Sequence, residues 1–320
     1  MNHVIKLFVE RFEKEIPGVF RNIQVNKDGK LWGEAYFDNE YIRIGSCSKS
    51  FTSTAVGIAI DEGLLSLDDK VVDYFPELLP ENVDDRLGRL TLRHCLMMSS
   101  GHDYSSIPNG KLLEYEKPDW TKQYLSRPFY YESGEHFHYE SGDTMMAAAM
   151  LNKKTGISTI SYLKPRLFDP LGIEGVYCWQ TPDGHDQTAF GIHMKRRDLI
   201  KFAELYLNKG EWNGRQILSP EWVADATACH ISTDVEPGLS GDMTGYGSKI
   251  TPRNERYGYG YQIWRSRYNG FYAGGGAGET LSIGLPKYNA CISFTTHETP
   301  TFDVAFDLIW EIILPHLINS

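Results

Sequence analysis

No stretch of this chain is apolar for long enough to suggest a membrane span. Its opening, Met1-Asn2-His3-Val4-Ile5-Lys6-Leu7-Phe8-Val9-Glu10-Arg11, is amphipathic and charged and lacks the apolar core of a signal peptide. Neither feature is expected. Cysteine is sparse: Cys47, Cys95, Cys178, Cys229 and Cys291 are odd in number, far apart and never spaced Cys-x-x-Cys. That speaks against a zinc site and fits a reduced, cytoplasmic setting. Positive charge is also short. Lysine and arginine number 32 against 42 aspartates and glutamates, a formal balance of −10, and no basic patch is interleaved with aromatics. Nucleic acid and anionic membrane are therefore poor partners. Internal repeats are absent. What remains is the composition of a soluble globular protein, long enough for one large domain or two interleaved ones.

The ends and the middle differ in texture. Residues 3–15 read as a helix closed by Pro17-Gly18, and Ile23-Gln24-Val25 with Leu31 to Phe37 reads as a hairpin around an Asp28-Gly29 turn. From about residue 70 to 235 short helices take over, with an uncharged one at Thr144–Leu151 and others at Leu90–Met98, Ser158–Phe168, Asp198–Leu207 and from Pro220. Residues 235–256 read as a long loop. Strands return at Tyr259–Arg265, Leu281–Leu285 and Ala290–Phe294, and residues 304–313 close the chain with helical periodicity. The expected fold is α+β: an antiparallel sheet built from 1–70 and 235–320, flanked by the terminal helices, with a mostly helical region inserted at 71–234. A cleft between the two parts is a natural place for a site.

One stretch stands apart. Ser46 and Lys49 are three residues apart, which puts hydroxyl and amine on one helical face. Ser50 to Ile60 then carries no charge, so the helix reads as buried. A buried ammonium is costly unless paired or neutralised, which points to chemistry. A polar helix start with Lys49 reaching solvent is the competing reading, and helix geometry alone leaves both open.

Several motifs agree in order and spacing: Ile44-Gly45-Ser46-Cys47-Ser48-Lys49-Ser50-Phe51, Leu64-Leu65-Ser66-Leu67-Asp68-Asp69, Leu90-Thr91-Leu92-Arg93-His94 through Gly101, Pro170-Leu171-Gly172-Ile173, and Arg197-Asp198-Leu199. With them the chain resembles the serine β-lactamase-like family of class C β-lactamases, penicillin-binding proteins and related esterases, most of all its 6-aminohexanoate-dimer hydrolase branch. The resemblance implies that Ser46 is the nucleophile and that Lys49 or Tyr139 is its base. Tyr139 comes from a Tyr-x-Asn-like motif in which Ser141 replaces the asparagine. The family's Lys-Thr-Gly or His-x-Gly strand corresponds to Tyr272-Ala273-Gly274, without a cation. The backbone N–H groups of Ser46 and Gly275 would form the oxyanion hole, with the register within Gly274–Gly276 open by one residue. Ser141, Tyr272 and Gly274 are the expected substrate contacts.

Other candidates are weaker. Ser48 points to a different side of the helix from Lys49. His136-x-His138 lacks a third ligand at a suggestive spacing. His94 and His193 read as structural, Cys47 as turned into the core, and Asp68-Asp69 and Asp84-Asp85 as solvated turns. The expectation is a serine hydrolase of small esters or amides working through an acyl-enzyme, with no cofactor. The alternatives are a binding or sensing protein with vestigial chemistry, and a weak β-lactamase or D,D-peptidase.

Overall fold

The computed structural model describes residues 2–36, 38–102, 119–181, 184–233, 257–275, 279–297 and 301–318. In chain order, α1 (His3–Glu15) leads into β1 (Phe20–Lys27), β2 (Lys30–Tyr36) and β3 (Tyr41–Arg43). The helices α2 (Cys47–Asp61), α3 (Val71–Tyr74), α4 (Leu92–Leu96), α5 (Trp120–Leu125), α6 (Ser141–Thr155) and α7 (Thr159–Leu163) follow. Then come β4 (Tyr177–Cys178), β5 (Ile192–Lys195), α8 (Ile200–Leu207), β6 (Glu211–Trp212), β7 (Arg215–Gln216) and α9 (Pro220–Ala226). The chain ends with β8 (Trp264–Arg265), β9 (Phe271–Gly275), β10 (Thr280–Leu285), β11 (Ala290–Thr296), α10 (Phe302–Leu308) and α11 (Leu314–Ile318). The loop expected at 235–256 lies outside the described residues.

The main sheet has six strands in the order β2-β1-β11-β10-β9-β8, each antiparallel to its neighbour. Strands from the two ends of the chain thus pair in its middle, at β1 and β11. The hairpin turn is tight because Asp28 and Gly29 both adopt positive φ, the backbone that two-residue hairpins require. One face of the sheet carries the aromatic core under the terminal helices: Phe8 and Phe12 of α1 meet Phe294, and Phe306 of α10 meets Tyr272. The opposite face bears small polar residues that tie to helices. Ser282 Oγ donates to Leu199 O at the head of α8, and Cys47 Sγ of α2 meets Thr280.

The expected strand at Tyr259–Arg265 is regular only at Trp264–Arg265. Gln262 interrupts it with a left-handed backbone (φ 59°) and a buried side chain. Its amide donates to Cys95 O and Leu96 O and accepts from Thr144 Oγ1, while its carbonyl accepts from Ser50 Oγ. One residue therefore bolts α2, α4 and α6 to the sheet. A second sheet, β3-β5-β4, anchors the segment entering α2, with Ile44 N donating to Ile192 O at 2.9 Å.

Candidate active site

Ser46 is the N-cap of α2, preceded by Gly45 at positive φ. From Cys47 to Ala59 every residue of α2 is buried. Two of its threonines tie it in place: Thr54 Oγ1 bonds to Ser50 O and to Tyr206 OH, and Thr52 Oγ1 to Ser48 O and Thr188 O. Ser48 Oγ accepts the Ile192 N–H at 3.1 Å and so fastens the second sheet. Cys47 turns into the core, where burial pushes its thiol up to about 12.

Lys49 is 1% exposed. Its Nζ lies 3.1 Å from Ser46 Oγ, 3.2 Å from Ser141 Oγ and 2.8 Å from Ala189 O, donating to all three. The three directions match an ammonium's three donors. They also suit the neutral amine, which would give one proton to Ala189 O and one to Ser141 Oγ, leaving its lone pair to the Ser46 hydroxyl. Burial pushes Lys49 down to about 7, against the opposing fields of Glu140 and Cys47. Near neutrality the amine is therefore able to take a proton and to return it.

Tyr139 stands in the loop before α6. The Lys49 Nζ sits 5.0 Å from its ring centroid, and the ring stacks on Trp264 at 5.4 Å with Tyr259 edge-on at 6.3 Å. Ser141 opens α6, a helix buried from Ser141 to Leu151 and closed by Gly156 at positive φ. Glu140 caps it, its Oε1 accepting the Gly142 N–H at 2.6 Å and its Oε2 lying 3.7 Å from Arg127. Burial raises the Glu140 carboxyl, and burial with the nearby Glu140 charge pushes Asp143 up to about 8.

Strand β9 approaches from the other side. A side chain at Gly275 would collide with Ile44 O and Thr280 Oγ1, so only glycine lets the strand pass this close to the segment that presents Ser46. Thr280 Oγ1 donates to Ile44 O at 2.8 Å and fixes that approach. Tyr272 departs from expectation. Its ring is fully buried on the opposite face of the sheet, stacked on Trp264 and set edge-on against Phe306. Strand alternation places Gly274 on that same face, with its absent Cβ toward the Tyr272 ring and Leu281. Neither residue turns a side chain toward Ser46.

The structural readings of the histidines find definite partners. His94 Nδ1 closes a capping box with Thr91, and His193 is buried on the Gly191 carbonyl. His136 is exposed and rests on Tyr131. The Ala189 carbonyl, Trp264 and Glu140 were not foreseen. A backbone acceptor leaves no mark in a sequence, and Trp264 gains meaning only once β8 is seen beside Tyr139. Glu140 sat in plain view inside the tyrosine motif.

An antiparallel sheet under terminal helices, with a serine, a buried lysine and a tyrosine at the head of a buried helix, defines a protein of the β-lactamase and penicillin-binding type. The beta-lactamase family model matches residues 4–313, and the chain belongs to that family. Among curated relatives, it is 22% identical to a beta-lactamase of Yersinia enterocolitica over 242 residues, 69% of this chain and 60% of that one. It is 28% identical to the lovastatin esterase of Penicillium rubens over 155 residues, 42% of this chain and 39% of that one. It is 24% identical to the 6-aminohexanoate-dimer hydrolase of Paenarthrobacter ureafaciens over 206 residues, 57% of this chain and 50% of that one. The alignments thus span between 39% and 60% of these relatives' own length. A simvastatin synthase mutant structure from Aspergillus terreus shares the fold, with a TM-score of 0.71 at 17% identity, covering 99% of this chain and 98% of that one. Among the described residues no helix is long and apolar enough to cross a membrane.

Proposed function

We propose that the protein is a serine hydrolase that cleaves a small carboxylic ester or amide through an acyl-enzyme on Ser46. The observation that carries this reading is the Lys49 amine, buried, held near neutrality and 3.1 Å from a serine hydroxyl at a helix start. Lys49 takes the Ser46 proton as Oγ attacks the substrate carbonyl carbon. The backbone N–H groups of Ser46 and Gly275 receive the developing oxyanion. As the intermediate collapses, the scissile bond breaks and the proton passes by way of Tyr139 to the departing oxygen or nitrogen. Water then attacks the ester on Ser46, returns a proton to Oγ and releases the acid.

Ser141 and the backbone of β9 at Gly274 serve as substrate contacts, with Tyr272 contributing only its main chain. Since β9 brings no lysine or histidine to the site, substrates that rely on a strand-borne cation to hold a carboxylate are disfavoured, and neutral esters and amides are preferred over β-lactams. Free cysteines at all five positions accord with a reducing, cytoplasmic setting.

A fluorophosphonate probe tests the nucleophile. One adduct is expected on the intact protein and none on Ser46→Ala. No adduct on the wild type, or an equal adduct on the variant, overturns the reading. Nitrophenyl acetate should turn over faster than nitrocefin; the reverse order would overturn the substrate preference.

A further inference from the structure

Glu140 is flanked in the chain by two residues that meet Lys49: Tyr139, whose ring lies under the amine, and Ser141, whose hydroxyl accepts from it. Its own carboxylate turns elsewhere, onto the Gly142 N–H and toward Arg127, and it is wholly buried. The hydrogen-bond acceptors of Lys49 are all neutral: two hydroxyls and a carbonyl. Among the described residues no carboxylate forms an ion pair with it. A carboxylate in contact would trap the lysine as ammonium and remove the base. With no carboxylate nearby, burial would leave an amine too weak to accept the serine proton.

Building on the hydrolase reading above, we propose that Glu140 is a positioning residue. In its ionised form its carboxylate, held by the Gly142 N–H at the head of α6 and by Arg127, sets the proton affinity of Lys49 through space without bonding to it. The other groups around the amine leave this role to Glu140. Cys47, on the same helix, is pushed up to about 12 and is uncharged at neutral pH. Tyr259 is raised well above its ordinary range, and His102, beyond Tyr124, is pushed down to about 3, so both are neutral. The Tyr139 phenol faces the amine with its ring. Asp143, one turn along α6, gains its charge only near pH 8 and perturbs the alkaline side alone. Arg127 opposes Glu140 and limits its field.

Glu140→Gln keeps an acceptor for the Gly142 N–H and removes the charge. The acid limb of the kcat/KM profile for a nitrophenyl ester should move down by about half to one pH unit, and Glu140→Asp should return it toward the wild-type position. In a Ser46→Ala background, NMR titration of 13Cε-labelled lysine should show the same movement for Lys49 without any turnover. Coupling is reciprocal, so Lys49→Met should raise the titration of the Glu140 carboxyl by a similar amount, an arm that does not depend on Glu140→Gln folding. An unmoved Lys49 titration, or an unmoved Glu140 titration in Lys49→Met, overturns the proposal. A rate lowered equally at every pH is the mark of a helix cap alone and counts against it too. Loss of probe labelling on the wild type would instead remove the hydrolase reading and leave the two titrations to decide on Glu140.

Discussion

At the scale of single residues, Lys49 is the costly one. Its ordinary pKa of 10.5 falls to about 7 in the fold, chiefly through burial. Between those two values the unfolded chain binds the proton more readily than the folded protein, so stability rises with pH across that window. Below pH 7 the folded protein carries a buried ammonium in full. Lys49→Met should therefore be more stable than wild type at pH 6, by about 1–3 kcal/mol, and should lose the upward slope between pH 7 and 10.5. The same change should lower kcat/KM by about 10²–10⁴-fold, the worth of a positioned general base. Thermal melts across pH, set beside ester turnover, check both halves. A variant that is less stable at pH 6 would show that the amine is better supported than its neutral partners suggest. Ser141 belongs to the same argument. A hydroxyl in place of the family's amide still gives Lys49 an acceptor, but it has one fewer group to offer a substrate.

At the scale of elements, α2 and α6 explain why the site is rigid. Both are buried along most of their length, and several of the polar side chains they carry, among them Thr52, Thr54, Asp143 and Thr144, tie neighbouring segments together. Ser48 shows how close structure and chemistry lie in this stretch. It is two residues from Ser46, yet its hydroxyl accepts the Ile192 N–H and so holds β5 against the start of α2. Ser48→Ala should leave that N–H buried without a partner, at a cost of about 1–3 kcal/mol in denaturant unfolding. Fluorophosphonate labelling should persist, because Ser46, the proposed nucleophile, is untouched. A variant that unfolds normally but no longer labels would reverse the roles of the two serines. Helix spacing in the sequence already separates them: Ser46 is one turn from Lys49, and Ser48 is its immediate neighbour.

At the scale of the whole molecule, the features legible in the sequence are those that local pattern dictates. The Asp28-Gly29 turn, the uncharged run after Lys49, the Thr91 cap and the terminal helices each announce themselves within a dozen residues. The unforeseen features depend on partners far along the chain. Gln262 looks like one polar residue in a strand until four buried groups from three helices converge on it. Tyr272 reads as a substrate contact from its place in a motif, but strand alternation sends its ring under the terminal helices. That ring belongs to a continuous series. Tyr139 stacks on Trp264, Trp264 on Tyr272 at 6.2 Å, and Tyr272 meets Phe306 of α10 at 5.1 Å. Helix α10 therefore supports the wall against which the Tyr139 ring leans. Phe306→Ala should cost about 3–5 kcal/mol of stability, as large aromatic truncations in a core do. Well below its melting temperature, the variant should also lose several-fold in kcat/KM, since Trp264 and Tyr139 gain room to move. The acid limb of the profile should stay where it was, because nothing around Lys49 has changed charge. Full activity in a destabilised Phe306→Ala would show that the aromatic series packs the core without holding the tyrosine. A shifted limb would show that α10 reaches the lysine as well.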